Sequence, residues 1–254
     1  MTFLYDIGGW HPWLLAVVLN TSLGLLGWRW VSKVLTPAGL VHAWILGVII
    51  WGVLGAAGYG VVLFYFLAGS SVTKVGMAQK QAAGIAEKRS GARGPENVWG
   101  SAASSTLCAF ATLVVPVVYQ PLFCLGYVSG FSTKLSDTTA SEIGKTYGKR
   151  TFLITTLRPV PQGTEGAVSL EGTLAGIVAS GVIAGLAWAV DLISPLGIGF
   201  CVVAAFIATT LESVIGATLQ SRFAWLTNEV VNGINTLIGA IAAMGMAIAW
   251  TALP

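Results

Sequence analysis

The sequence predicts an all-α protein: a polytopic transmembrane helical bundle of about eight spans, with polar catalytic loops on the cytoplasmic side. Three observations carry that prediction. Of 254 residues, 55% are hydrophobic and only 9% charged, where a soluble domain carries about 25% charged residues. The mean hydropathy of +0.80 agrees, and together they exclude an ordinary globular enzyme in water. Apolar runs long enough to cross a bilayer, about 17–25 residues, recur along the chain. Finally, all 13 Lys and Arg fall in or at the edge of alternate connections between those runs.

The runs are Pro12–Trp28, Pro37–Leu54, Gly58–Val72, Val98–Tyr119, Pro121–Leu135, Thr173–Ile193, Leu196–Ile215 and Gly233–Leu253. The third and fifth are short, and only Gly55-Ala56-Ala57-Gly58 parts the second from the third. The 32 Gly suit helices that approach closely in lipid, where small residues replace the missing hydrophobic driving force. Residues 1–254 then form a single integral membrane domain. The Met1–His11 leader lacks a basic region and a small-residue cleavage site, so it is not a standard secretory signal. Asn20-Thr21-Ser22 matches a glycosylation acceptor but lies within the first run. Cys108, Cys124 and Cys201 are scattered through apolar runs without a CxxC pair, which offers neither a disulfide framework nor a zinc site and leaves packing.

Eight spans place Arg29 and Lys33, then Lys74, Lys80, Lys88, Arg89 and Arg93, then Lys134, Lys145, Lys149, Arg150 and Arg158, and finally Arg222 on one face. The positive-inside rule makes that face cytoplasmic, with loops 73–97, 136–172 and 216–232. Of the ten acidic residues only Asp6 and Asp191 lie elsewhere. A carrier would more naturally place polar groups near the midplane between repeat halves.

The longest hydrophilic stretch is Ser136–Gly172. Read as a helix, Thr139–Lys149 aligns Ala140, Gly144 and Gly148 on one face, a flat strip that a ligand or another backbone can approach. Asp137 and Glu142 are hard oxygen donors of the kind Mg²⁺ takes, and Lys145, Lys149, Arg150 and Arg158 offer charge for phosphates. Thr139-x-x-Glu142 is equally a capping box with Asp137 at the helix start, and both readings stay open. Pro159-Val160-Pro161-Gln162-Gly163 before Thr164-Glu165-Gly166 reads as a rigid turn built to aim side chains.

A second polar cluster joins the end of the seventh run, with Glu212, Gly216 and Gln220 on one stripe, to the start of the eighth. There Asn228, Asn232 and Asn235 form another. A carboxylate in a span is a functional hypothesis by default, whereas interhelical bonding is an equal reading of the Asn stripe. The basic loop Lys74–Asn97, with Ser71 at its membrane end, is a third element. Gly144-Lys145-Thr146 imitates the end of a P-loop, but the Gly needed five residues earlier is Thr139. There is no GxGxxG or GxSxG. The only histidines are His11 and His42, the latter expected to be packed, which disfavours a nucleophile–His–acid catalyst and points to metal and electrostatics.

These residues resemble a known family. Ser136-Asp137-Thr138-x-Ala140-Ser141-Glu142-Ile143-Gly144, Pro161-x-Gly163-Thr164-Glu165-Gly166-x-Val168-Ser169-x-x-Gly172-Thr173, Glu212-Ser213-x-x-Gly216-Ala217-x-Leu219-Gln220 and Thr227-Asn228-Glu229-x-x-Asn232-x-x-Asn235-Thr236, with Leu35-Thr36, resemble the membrane family that contains plant and cyanobacterial phytyl-phosphate kinase. The likeness runs from about Leu35 to Gly239. The Asp137…Lys149…Thr164-Glu165-Gly166 layout is similar, more distantly, to CTP-using polyprenol and phytol kinases and CDP-diacylglycerol synthase, although the synthase pattern has one residue between its Thr and its acid.

The resemblance implies transfer of the γ-phosphoryl group of CTP, with Mg²⁺, to an isoprenoid monophosphate, most simply phytyl phosphate for tocopherol and quinone synthesis. A phosphate monoester is already anionic, so the acceptor needs alignment and charge cancellation rather than a base. On that reading Asp137, Lys149 and Glu165 are catalytic, and Asp137, Glu142, Glu165 and Glu212 are the metal ligands. Lys80, Arg158, Asn228, Glu229, Asn232 and Asn235 bind nucleotide or substrate phosphate, with Ser71, Lys74, Ser141 and Thr164 added. The prenyl tail is expected along Gly172, Gly176 and Gly181, and along Gly126 and Gly130. The partners are then the isoprenoid monophosphate, nucleotide and membrane lipid, with no nucleic acid. A bacterial or cyanobacterial plasma or thylakoid membrane is the expected site. The competing readings are a transporter or flippase of an anionic or phosphorylated lipid, and a cytidylyltransferase that attacks the α-phosphorus of CTP.

Overall fold

The computed structural model describes residues 11–252. The leader reading, His11 apart, and Leu253 of the last predicted run therefore lie outside the described residues. The helices are α1 (Pro12–Leu26), α2 (Trp28–Val34), α3 (Pro37–Lys74), α4 (Met77–Ala82), α5 (Pro95–Val114), α6 (Gln120–Tyr147), α7 (Leu170–Ala189), α8 (Pro195–Thr218) and α9 (Asn228–Ala252). Pro occupies the first or second position of α1, α3, α5, α6 and α8, where its missing N–H costs nothing. The hydroxyls of Thr36, Ser169 and Ser194 accept from the N–H of Gly39, Gly172 and Gly197, capping α3, α7 and α8.

By length and composition, α3, α7, α8 and α9 can each cross a membrane, and α1 with α2 makes a fifth candidate, bent by 88°. The sequence predicts about eight, and the difference has local causes. Two predicted runs fall inside the single 38-residue α3, and α1 is only 15 residues long. α5 and α6 carry Ser, Thr, Lys and Asp on their buried faces, which dilutes their apolar character.

α3 reverses direction. Gly55 has φ 63° and ψ −157°, a conformation open essentially to Gly alone. Gly39 lies against the carbonyl of Arg93 while Gly69 lies against its guanidinium. On a straight helix those glycines would stand about 45 Å apart, far beyond the reach of one arginine.

α6 is the centre of the bundle, packed against α3, α5, α7, α8 and α9. Its Tyr127 and Phe131 are fully buried, and Tyr127 Oη donates to Gly58 O at 2.7 Å. The helix runs well past the predicted end at Leu135, so Asp137 and Glu142 sit on a continuous helix. The proposed capping box at Thr139 is not formed, because the upstream residues supply that turn's carbonyls. The Ala140, Gly144 and Gly148 strip meets α7 and the turn before it. Gly172 is closed against Ala140 O, and a Cβ on Gly176 would stand 2.9 Å from Ser136 O. Of the glycines expected to line a tail groove, Gly172 and Gly176 are thus consumed by helix packing. Gly126 meets Cys108 and Met244, Gly130 meets Ser105, and Gly181 meets Val202.

The all-α reading needs one amendment. Residues 148–169 form a two-stranded antiparallel ladder, β1 (Thr151–Leu153) with β2 (Ala167–Ser169), paired Thr151 to Ser169 and Leu153 to Ala167. The backbone N–H and C=O groups of this excursion thereby find partners without a helix.

The ends of α3, α6 and α8 and the starts of α5, α7 and α9 share one end of the bundle. Lys134 meets Asn232, Asn97 meets Glu229, and Gly166 meets Ser213 and Ala217. Arg93 pairs with the Val34–Thr36 link to the same end. Polar groups also reach deeper than expected. Ser105, Ser132, Thr133 and Asn235 are buried between helices, and their side-chain polar atoms have no hydrogen-bond partner among the described residues.

Candidate functional site

A cavity of about 620 Å³ opens at that end of the bundle. Its floor is built from α6, α8 and α9. Lys134, one helical turn before Asp137, donates to Asp137 Oδ2 at 2.5 Å and to Asn232 Oδ1 at 2.7 Å. Glu212 of α8 faces the same pair, with Glu165 as a further charged neighbour. Asp137 is 7% exposed and Lys134 8%. A buried ammonium among carboxylates is the arrangement that low dielectric requires, since an isolated charge there would be too costly.

One wall is the 161–169 turn. Thr164 donates through N–H and hydroxyl to Pro161 O, at 3.3 and 2.8 Å. Gly166 takes φ +74°, and a Cβ there would stand 2.5 Å from both Ser213 O and the Ala217 methyl. Only Gly lets this turn lie on α8, and the result puts Glu165 Oε2 3.8 Å from where a Gly216 Cβ would stand, one turn beyond Glu212. The rigid-turn reading of this segment describes its geometry.

A second wall comes from residues 84–97 and α3. Arg89 Nη2 donates to Glu96 Oε1 at 2.5 Å and Asn97 Oδ1 at 2.9 Å, and Asn97 Nδ2 continues to Glu229 Oε1 at 3.2 Å. The Arg89 hydrogen bond holds the Glu96 carboxyl below the usual carboxylate range. Arg93 and Tyr65 complete the wall.

Asp137, Glu142, Glu165, Glu212, Ser141, Thr164, Asn228, Glu229 and Asn232 all border the cavity. The other expected positions do not. Lys80 is 1% exposed, donates to Thr73 O and pairs with Glu142 Oε2, so it fastens α4 to α6 and has no face left for a phosphate. Glu142 is correspondingly engaged by Lys80, with Lys145 at 3.5 Å, rather than free to take a metal. Lys149 and Arg158 are exposed and outside the cavity, because α6 ends at Tyr147 and the ladder carries the chain away. Ser71 bonds back to Leu67 O, and Lys74 reaches Ser90 O. Asn235 lies deeper than the cavity at 1% exposure.

Among the described residues no three His, Cys, Asp or Glu converge as a ready-made metal site, so the four carboxylates expected to ligate one are not gathered as a set. The Asp137–Glu212 pair still suits Mg²⁺, which uses one or two carboxylates and fills its octahedron with water and substrate phosphate. The cations found here and missed by spacing are Lys134, Arg89 and Arg93, while Lys145, expected to offer charge for phosphates, also borders the cavity. For Lys134 a signal existed in its i,i+3 relation to Asp137, legible only if the helix continues through both.

The smaller readings also have places. Trp99 Nε1 donates to His42 Nδ1 at 2.9 Å, Asn20 is buried and accepts from Tyr59 Oη at 3.0 Å, and the three cysteines are free and buried.

Comparison with known proteins places this architecture. Residues 20–240 match the family described as integral membrane protein DUF92. The chain is 64% identical over 235 residues to "Uncharacterized membrane protein sll0875" of Synechocystis sp., covering 92% of this chain and 91% of that one. It is 47% identical over 238 residues to "Protein VTE6, chloroplastic" of Arabidopsis thaliana, covering 92% and 72%. A relative from Methanocaldococcus jannaschii, "Uncharacterized membrane protein MJ0933", is 32% identical over 211 residues, covering 83% and 84%. No solved structure matches. With its family match spanning most of its length, its apolar helices and its polar end cavity, the chain belongs to the DUF92 family of integral membrane proteins.

Proposed function

We propose that this protein is an intramembrane kinase that uses CTP and Mg²⁺ to convert an isoprenoid monophosphate, of the phytyl type, to the diphosphate for tocopherol and quinone synthesis. The observation that carries the reading is the buried Lys134–Asp137 pair facing Glu212 at the floor of a polar cavity. Similarity to the Arabidopsis chloroplast protein VTE6 and the family resemblance of the sequence motifs support it. An oxygen of the acceptor monophosphate attacks the γ-phosphorus, the bond to the β-bridging oxygen breaks, and CDP leaves. Mg²⁺ held by Asp137 and Glu212 would neutralise phosphate oxygens. Lys134 holds Asp137 in place and sets a positive charge beside Glu212, Glu165 borders them from the 161–166 turn, and Asn228, Glu229 and Asn232 line the α9 side. The remaining work is positioning and electrostatics, which suits phosphoryl transfer. In this reading the chain crosses the bilayer eight times as one membrane domain, counting both halves of α3. The cavity then faces the cytoplasm of a bacterial or cyanobacterial plasma or thylakoid membrane.

The test uses purified protein in detergent with Mg²⁺, CTP and phytyl monophosphate, quantifying CDP and phytyl diphosphate. Equal amounts of both, lost without Mg²⁺, are expected. Pyrophosphate with a CDP-lipid would replace the kinase by a cytidylyltransferase.

One observation favours a second reading. The unpartnered polar atoms of Ser105, Ser132, Thr133 and Asn235 continue inward from the cavity, as a path through a carrier would. Movement of an isoprenoid phosphate across sealed vesicles without CDP formation would select that reading.

A further inference from the structure

Arg93 is held unusually firmly for a residue between two helices. Its N–H donates to Val34 O at 2.9 Å and its carbonyl accepts from Thr36 N at 3.0 Å, so the backbone is fixed on the α2–α3 link. The side chain lies over Tyr65, with the guanidinium carbon 5.5 Å from the ring centroid, and over Phe66 at 6.0 Å. Gly69 makes room for it, since a Cβ there would stand 2.9 Å from Nη2. Guanidinium–ring contact at this range is attractive and leaves the in-plane N–H donors free.

Those donors have no hydrogen-bond acceptor among the described residues, although Arg93 is half-buried and borders the cavity. The neighbouring cations differ. Arg89 is bonded to Glu96 and Asn97, Lys80 to Glu142, Lys134 to Asp137 and Lys145 to Glu87. Tyr65, under the Arg93 guanidinium, is also a neighbour of Lys134. One wall therefore carries a planar five-donor fork aimed by aromatic rings, and the buried ammonium of Lys134 neighbours the same Tyr65. Carboxylates dominate the remainder of the floor. Phosphate, like carboxylate, matches such a fork bidentately.

We propose that Arg93 is the phosphate receptor of this cavity, holding a phosphate group between its guanidinium and Lys134. The phosphate has two possible carriers, the isoprenoid monophosphate and the nucleotide. The inference rests on the kinase reading only for the identity of that carrier.

The experiment measures equilibrium dialysis of the full chain in detergent with Mg²⁺, comparing geranyl monophosphate with geraniol and CTP with cytidine. Arg93→Met keeps the stem over the rings and removes the fork, and Arg93→Lys keeps the charge without the fork. The wild type is expected to prefer at least one phosphorylated ligand over its dephosphorylated counterpart by about tenfold or more. Arg93→Met should reduce that preference to under about twofold with the counterpart's affinity unchanged, and Arg93→Lys should fall between. The ligand whose preference collapses names the carrier. A merely structural role would weaken both members of a pair together, so an undiminished preference in either folded variant overturns the proposal. So does a wild type that prefers neither phosphate. The two readings fail separately. Arg93-dependent binding without diphosphate formation removes the kinase and leaves the receptor, while turnover with unchanged preference in Arg93→Met removes the receptor alone.

Discussion

Lys134 Nζ stands 2.5 Å from Asp137 Oδ2, one helical turn apart on α6, and both side chains are buried. The ammonium offsets a carboxylate pair, Asp137 and Glu212, that would otherwise repel across a site with little water. A lysine so placed does the electrostatic work of a cation before any ligand arrives.

Asp137→Asn is expected to lower phosphoryl transfer by about 100-fold or more, as removal of an electrostatic group at a reacting centre does, while leaving the protein folded, because the amide oxygen still accepts from Lys134. Lys134→Met is expected to behave in the opposite sense. It leaves two carboxylates without their cation and costs about 3–5 kcal/mol, and added Mg²⁺ should raise its thermal midpoint more than that of the wild type. Melting curves with and without Mg²⁺, beside turnover, check both. An active Asp137→Asn removes the central assignment.

Lys80 and Glu142 form a second buried pair, on α4 and α6. Breaking it from one side, by Lys80→Met or Glu142→Gln, should cost about 3–5 kcal/mol, and the double variant should regain much of that. Turnover per folded molecule should fall little. A metal or phosphate role would instead show as activity lost in the double variant at restored stability.

Gly166→Ala has two faults, a strained φ of +74° and a Cβ 2.5 Å from Ser213 O. The 161–166 turn must then lift from α8 and take Glu165 with it. A stability loss of about 1–3 kcal/mol is expected, with turnover falling further than in Gly84→Ala, where φ is +71° but nothing lies within 4 Å of the new methyl. Equal losses in the two would show strain alone at work.

Glu96 has its carboxyl held below the ordinary range by the Arg89 hydrogen bond. A depressed folded value stabilises above the unfolded value and loses that contribution as pH falls through the folded one. The pair is nearly half exposed, so Glu96→Gln should change stability at pH 7 by less than about 0.5 kcal/mol. That small difference should be constant from neutral pH down to the normal carboxylate range and close on the acid side of it, where the wild type loses the contribution. A difference that widened as pH fell through the carboxylate range would refute the assignment.

Much of the site was legible because its chemistry is local. Asp137, Glu165, Glu212, Asn228 and Asn232 stood out by residue type and spacing, Glu229 entered with the family resemblance, and all border one cavity. Lys80 and Lys149 illustrate the limit. Nothing in a list of basic residues tells a lysine neutralised by a carboxylate 62 positions away, or one left outside by the end of a helix, from one that faces a ligand. Arg93 is the converse case, a residue at the end of a loop whose guanidinium has no hydrogen-bond acceptor among the described residues, selected by aromatic rings and a glycine on α3.

Composition and the rhythm of apolar runs determined by themselves that this is a helical membrane protein with its charges collected at one end. Both follow from the cost of moving charge and unpaired backbone into lipid, which acts residue by residue. Only the tertiary structure decided that Gly55 folds α3 back, that α6 carries Asp137 into the bundle, and which cations meet the cavity and which are consumed by partners. Those outcomes depend on pairings between distant segments in a low dielectric, and a side chain's role there is set by what stands opposite it.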